Sequence, residues 1–295
     1  AAAVLVGIAS CLPPQPQPTP PPVGSGTAAP PPSITDGPAP TGDPTAGPTT
    51  APGTARLPIY YLGSVGNRTV LYREFHSLPL PAQTLAGRIS AAVTEMLTGE
   101  PYDPDYVSAW PNSATVRTVR IDRDVAVVDL GGVSTNNVGS EVAELSVAQL
   151  VWTVTAVAAD AGAPVAGVRL LVDGSPTSQL WGHVAVGGVL RRGSAVQTLA
   201  PVWLISPQDG DTVGRSFRVH LDGAVFEATA QLRVRDAGGT TVHEQFVTLD
   251  AGAPARGEAF VTLNLPPGRY TLEAFYYSAE DGSVQAVDDH DITVR

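Results

Sequence analysis

Proline divides this chain before any other feature does. Fifteen of its 28 prolines fall between residues 12 and 56, interleaved with Thr, Gly, Ala and Ser, and the only charges there are Asp36, Asp43 and Arg56. Proline lacks an N–H and fixes its own φ, so such a run cannot continue a helix or enter the middle of a sheet. The run also carries too little apolar surface to offset the entropy of ordering. It is expected to form a disordered, solvated tether, with residues 11–56 as its bounds. Fully polyproline-like, it reaches ~140 Å at about 3.1 Å per residue; as a flexible coil it averages nearer ~40 Å. Residues 57–295 remain for folding, a length suited to one large or two modest domains.

Ahead of the tether, residues 1–10 are apolar and end Ile8-Ala9-Ser10, followed by Cys11, the one cysteine of the chain. No disulfide can form within the chain, and Leu12-Pro13-Pro14 keeps Cys11 out of a packed core. An aliphatic residue, two small residues and a cysteine resemble the bacterial lipobox. The resemblance implies signal cleavage between Ser10 and Cys11, a diacylglyceryl lipid on the Cys11 sulfur, and a membrane anchor on the outer face of the cell membrane. Residues 1–10 are then the end of a signal peptide. The initiator Met and basic n-region are missing, so the sequence is expected to be N-terminally truncated.

The net charge is −11, and all 17 basic residues are Arg. An acidic balance argues against nucleic acid, whose binding relies on clustered cations neutralising phosphates. It argues equally against docking on anionic lipid through a polybasic patch. No segment after Cys11 reaches about 18 uninterrupted apolar residues, so a transmembrane helix is not expected. The absence of Lys, with heavy use of Ala, Val, Gly and Pro, points to a GC-rich genome such as that of an actinobacterium.

Residues 57–195 mix strands and helices. Leu57–Leu62 and Thr69–Phe75 read as strands around Gly63-Ser64-Val65-Gly66-Asn67, and Tyr60 and Tyr61 on opposite faces leave one exposed unless a partner covers it. A helix is expected near Gln83–Leu97, ended by Gly99-Glu100-Pro101. Val116–Ile121 and Val125–Leu130 read as a hairpin around Asp122-Arg123-Asp124. A second helix over Glu141–Ala159 points Val142, Leu145, Ala148, Val151, Trp152 and Thr155 to the core, and Val165–Val172 returns as a strand closed by Asp173-Gly174. The order ββα, ββα, β indicates an α+β layer with helices on one sheet face. Trp181, in the loop that follows, is expected to pack the joint to the next domain, with a partner contact as the alternative.

These elements resemble a known family. Ile59-Tyr60-Tyr61-Leu62, Tyr72-Arg73-Glu74, Leu97-Thr98-Gly99-Glu100-Pro101, Trp110-Pro111, Val127-Val128-Asp129-Leu130, Leu150–Thr155 and Val168–Gly174 are similar, in order and spacing, to the GerMN domain of sporulation and germination proteins. The resemblance implies a compact exported module of envelope assemblies, in a family not known for catalysis.

Residues 201–295 change character, with short alternating strands at regular spacing. Val202–Ile205, Ser216–Asp222, Ala228–Arg235, Thr241–Leu249, Glu258–Leu265, Gly268–Ser278 and Val284–Val294 read as strands, with turns at Asp236–Gly239 and Pro266–Gly268. Seven such strands suggest an all-β immunoglobulin-like sandwich. Ser206–Val213, Gly223–Ala228 and Ala279–Ser283 resemble the Gmad immunoglobulin-like domain of spore-germination proteins, which recurs behind GerMN domains.

Nothing in the sequence nominates catalytic residues, a metal site or a cofactor. The five histidines, His76, His183, His220, His243 and His290, lack ligand spacing and read as exposed or strand-edge residues. Asp288-Asp289-His290-Asp291 can be imagined sharing a divalent cation with Glu280 or Asp281, but reads better as an acidic, solvated strand end. Asp103/Asp105 and Asp122/Asp124 lie at expected turns, where Asp is favoured for its backbone hydrogen bonding. The expected function is a non-enzymatic lipoprotein, anchored by Cys11 and presenting two modules to envelope or membrane proteins. Its analogues by resemblance are germination factors and modulators of a membrane sensor kinase. The alternative is a protein that binds or acts on cell-wall glycan; no small-molecule substrate is indicated.

Overall fold

The computed structural model describes residues 53–295. Ser10, Cys11 and the tether through residue 52 lie outside the described residues. The first strand, β1 (Thr54–Val65), begins inside the stretch assigned to the tether, because Thr54, Ala55 and Arg56 pair with Pro79, Leu78 and Ser77 of β2 (Arg68–Pro79). The hairpin is longer than expected, since Gly63 and Ser64 stay in register opposite Val70 and Thr69. Only Gly66-Asn67 turns, with Gly66 at φ +60°, where a two-residue loop favours glycine.

Helix α1 (Leu85–Thr98) starts where Thr84 accepts the Gly87 N–H on its side chain at 3.1 Å. It buries Ile89, Val93, Met96 and Leu97. Strands β3 (Thr115–Asp122) and β4 (Val125–Gly131) form the expected hairpin. Helix α2 (Ser140–Asp160) then crosses over to β5 (Gly167–Val172), which runs parallel to β4. The expected core face of α2 packs as read, with Val142, Leu145 and Ala148 partly buried against the core and Val151, Trp152 and Thr155 buried, but burial extends beyond that face: every residue from Gln149 to Ala158 is buried. The cause is that α2 is packed by α1, β1 and β5 together, so its second half has no solvent side. It is long and apolar enough to cross a membrane, but here it is a core helix.

Short pairs follow: β6 (Ser175–Pro176) extends the sheet beside β5, and β7 (Gln179–Leu180) pairs with β8 (Val184–Ala185) before the turn α3 (Ala195–Thr198). The module therefore contains a two-stranded β1–β2 sheet and a separate β3–β4–β5–β6 sheet, not one helix-covered sheet. Isolated backbone bridges, Leu62 with Val107 and Leu71 with Leu199, and side chains occupy the open edges of the β1–β2 pair. Gln149 Nε2 donates to the Tyr60 carbonyl at 2.8 Å, and the Tyr60 N–H donates to Thr153 Oγ1 at 3.1 Å. On the other edge, Gln208 brackets Phe75 with its amide, donating to the Phe75 carbonyl at 2.8 Å and accepting the Phe75 N–H. Edges satisfied in this way offer no template for further pairing.

The second module is a sandwich. Strands β9 (Val202–Ser206), β10 (Thr212–Val213), β11 (Ser216–Gly223), β12 (Thr229–Asp236), β13 (Thr241–Thr248), β14 (Gly257–Asn264), β15 (Gly268–Tyr277) and β16 (Val284–Val294) form sheets ordered β10–β16–β15–β12–β13 and β14–β11–β9. Seven of the eight match the strands read from the sequence: six alternate between inward apolar and outward polar residues, and β9 reads as a short all-apolar run.

The two modules share β9. Successive side chains of a strand point to opposite faces, and β9 is buried on both. Val202 and Leu204 join the sandwich core with Leu221, Leu232 and Leu272. Trp203 and Ile205 join the core of the first module with Tyr72, Leu71 and Leu199. Trp203 is 1% exposed and meets Tyr72 edge-on at 6.2 Å. Full burial of large apolar side chains contributes about 1.5–3 kcal/mol each, so β9 ties the stability of each core to the other.

Candidate functional site

Strands β2 and β16 carry the most unusual polar groups, and the signal in both is period-two alternation. In β16, Asp288 and His290 fall on the same face as Ile292 and Val294, and all four are buried. In β2, Glu74 and His76 share the inward face. The expectation that His76 and His290 are exposed or strand-edge is thus overturned: each is 2% exposed. His183, His220 and His243 do lie at least partly in solvent.

His76 sits between two carboxylates, with Nε2 2.6 Å from Glu74 Oε2 and Nδ1 2.8 Å from Glu95 Oε1. An ionised carboxylate only accepts, so both ring nitrogens donate and the ring is an imidazolium. Burial pulls its pKa down, but the hydrogen bonds to Glu74 and Glu95 outweigh it and raise the pKa above 6.5. Tyr102 stacks on the ring at 4.1 Å. Glu74 also accepts the N–H groups of Tyr102 at 3.0 Å and Asp103 at 2.9 Å. The charged pair thereby fixes the loop that carries Asp103.

Asp103 keeps the turn role expected of it, since its Oδ1 accepts the Asp105 N–H at 2.8 Å. It is not solvated, however: it is 4% exposed and faces His290, whose Nε2 is 3.9 Å from Asp103 Oδ2. Asp288 lies beside them, 4% exposed, accepting the Tyr106 hydroxyl at 2.5 Å and the Leu204 N–H of β9 at 2.7 Å. Burial pushes Asp103 up to about 7, against the lowering hydrogen bond from Asp105, with the nearby Asp288 charge adding to the rise. Burial likewise pushes Asp288 up to about 6, against His290 and Tyr106. The solvated strand end expected at 288–291 is therefore corrected: Asp289 and Asp291 face out, but Asp288 and His290 close the joint between the modules. Glu280 and Asp281 take no part; both are exposed, and Asp281 accepts from Ser283. Asp122 and Asp124 are exposed at the β3–β4 turn, as their sequence position implies.

Around this centre the joint is polar. Arg256 lies over the Trp203 ring at 4.1 Å and donates through Nε to Asp222 at 2.7 Å, and Arg73 of β2 reaches the same carboxylate at 3.5 Å. Trp181, expected at this joint, is elsewhere. It packs edge-on against Trp110 at 5.1 Å and donates Nε1–H to the Val133 carbonyl at 2.7 Å, within the first module. Tyr60 and Tyr61 are both buried, because Trp152 covers one and the His76 side covers the other. The Cys11 and Ser10 assignments fall outside the described residues.

Comparison with known proteins agrees with this two-module layout. Residues 58–178 match the Germane family, described as sporulation and spore germination. Residues 201–283 match Gmad2, the immunoglobulin-like domain of bacterial spore germination. Among solved structures, the tandem GerMN domains of the sporulation protein GerM from Bacillus subtilis align at 18% identity over 53% of this chain and 51% of that one, TM-score 0.38. The chain thus spans about half of that structure. A Clostridium perfringens protein assigned as a lipoprotein aligns at 14% identity over 47% of this chain and 88% of that one, TM-score 0.34. CopC from Methylosinus trichosporium OB3b aligns at 25% identity over 32% and 92%, TM-score 0.24. A search of curated proteins returns no match. The two family matches carry the assignment: this chain is built from a sporulation and spore germination (Germane) domain followed by a Gmad2 immunoglobulin-like domain.

Proposed function

We propose that this chain is a non-enzymatic envelope lipoprotein, held on the outer face of the cell membrane by a lipid on Cys11, that offers its two modules as one surface to a partner protein in a germination-type assembly. The observation that supports this reading most is the sharing of β9: Trp203 and Ile205 belong to one core, Val202 and Leu204 to the other. Two modules locked in this way hold a fixed relative position, which suits a scaffold. A diacyl anchor holds such a protein stably, where one acyl chain binds only marginally. A membrane sensor kinase is one such partner. In-cell crosslinking followed by pull-down of the intact chain tests the reading. It expects a specific membrane or envelope protein to be captured, and capture to fall with Cys11→Ala as the protein leaves the membrane fraction. Cys11→Ala remaining in the membrane fraction contradicts the anchor. Capture unaffected by deletion of residues 57–295 contradicts the scaffold.

Glycan binding is the second reading, and a specific surface favours it. Phe246 and Phe260, 73% and 53% exposed, flank a groove of about 570 Å³ between β13 and β14 that also presents Asp250 and Glu258. Exposed aromatic rings beside carboxylates suit stacking on a sugar with hydrogen bonds to its hydroxyls. Retention on purified peptidoglycan, lost in Phe246→Ala with Phe260→Ala, supports it; no retention of the intact chain removes it.

A further inference from the structure

We propose that Asp103, Asp288 and His290 form a divalent transition-metal site, of the kind that takes Zn²⁺, at the joint between the two modules. The donor atoms of these three residues lie within 4.8 Å of one another, and all three residues are buried.

The argument turns on His290. Its Nδ1 is 2.7 Å from the Pro207 carbonyl, which only accepts, so Nδ1 carries the proton. In the neutral ring the other nitrogen, Nε2, then presents a lone pair. Nε2 lies 3.9 Å from Asp103 Oδ2, beyond hydrogen-bond reach. A lone pair facing buried carboxylates is repulsive unless a proton or a metal cation lies between them. An imidazole that donates one N–H to a carbonyl and aims the other nitrogen at a metal is the usual arrangement of a ligating histidine. Donors on a tetrahedral zinc, with bonds of about 2.0–2.2 Å, lie roughly 3.3–3.6 Å apart, so the 3.9 Å gap would close by a few tenths of an ångström around the metal.

The surroundings favour a cation over a fixed internal ion pair. Among the described residues, no arginine pairs with Asp103 or Asp288, and His290 is the one basic side chain within reach of Asp103. A cavity of about 30 Å³ adjoins both aspartates, lined also by Asp105, Asp289 and Tyr72. Water needs roughly 10–15 Å³ of such volume, so the cavity has room for the water that would complete a coordination shell. A mixed set of one nitrogen and two oxygens suits zinc and its first-row neighbours, whereas calcium and magnesium take oxygen alone.

Isothermal titration of the full chain, stripped with chelator, against ZnCl2 and separately against CaCl2 tests the proposal. It expects one Zn²⁺ per chain, weaker binding of Ca²⁺, and a loss of at least about 10-fold in Zn²⁺ affinity for Asp103→Asn and for His290→Gln, the scale on which even outer-shell groups tune a metal. Asp291→Asn, an exposed neighbour on the same strand, keeps full affinity. Circular dichroism checks that each variant folds; should His290→Gln not fold, Asp103→Asn decides, since it leaves the strand intact. No binding by the intact chain overturns the proposal. So does Zn²⁺ binding that survives both substitutions, because the metal then sits on Cys11 or an exposed histidine. Preference for Ca²⁺ overturns it as well.

Discussion

Tyr106 and Asp288, 182 residues apart in the chain, share a buried hydrogen bond of 2.5 Å, and the same carboxylate accepts the Leu204 N–H of β9. Each partner comes from a different module, so the contact reports on whether they are docked. Tyr106→Phe keeps the ring that stacks on Tyr72 at 4.5 Å and removes only the donor. A hydrogen bond to a charged group contributes about 1.5–3 kcal/mol, and a loss of that order is expected in urea denaturation.

The edge of β2 gives a separable prediction. Gln208→Ala leaves the Phe75 N–H and carbonyl without their partners on the far side of the joint. Stranded buried groups cost about 1–3 kcal/mol each. Amide exchange at Phe75 is expected to accelerate, while exchange in β11 and β14 remains slow. Unchanged exchange at Phe75 would show that Gln208 is not its partner in solution.

His76 sets a pH dependence. Its pKa is raised in the folded chain by Glu74 and Glu95, relative to 6.5 when unpaired. A group protonated more readily when folded stabilises fully below its unfolded pKa and loses that contribution as pH rises through the folded value. The unfolding free energy is therefore expected to fall from about pH 6.5 upward. His76→Gln is expected to flatten that slope, read by denaturant titration across the range. An equal slope in the variant would assign the pH dependence to other groups.

Trp203→Ala opens a cavity in a position that is 1% exposed. Truncating a buried Trp costs about 3–5 kcal/mol. Because Trp203 belongs to the first module's core while its neighbours face the sandwich, amide protection is expected to drop in β1, β2 and α1 as well as in β9. Phe260→Ala, on an exposed face of β14, is expected to change stability by no more than about 0.5 kcal/mol.

Much of this architecture was legible in the sequence because local rules decide it. The sandwich strands alternate with period two, Gly99-Glu100-Pro101 ends α1, and Gly66 turns the first hairpin. The β9 alternation was also present, in Val202-Trp203-Leu204-Ile205, but an all-apolar run does not say that its two faces serve different cores. The same is true of α2, whose burial on all sides comes from neighbours in β1 and β5. The polar joint was harder to see. Asp103 meets His290 only through the fold, and Asp-x-His in β16 resembles a solvated strand end unless its phase is carried back from Ile292 and Val294. Glu74 and His76 gave the corresponding hint in β2, two carboxylate and imidazole groups one repeat apart on an inward face.

Differential scanning calorimetry of the full chain measures most directly whether β9 makes the two domains one body. The account predicts a single cooperative transition whose calorimetric and van't Hoff enthalpies agree, splitting in two on Asp288→Ala. Two separate transitions in the unaltered chain would contradict it.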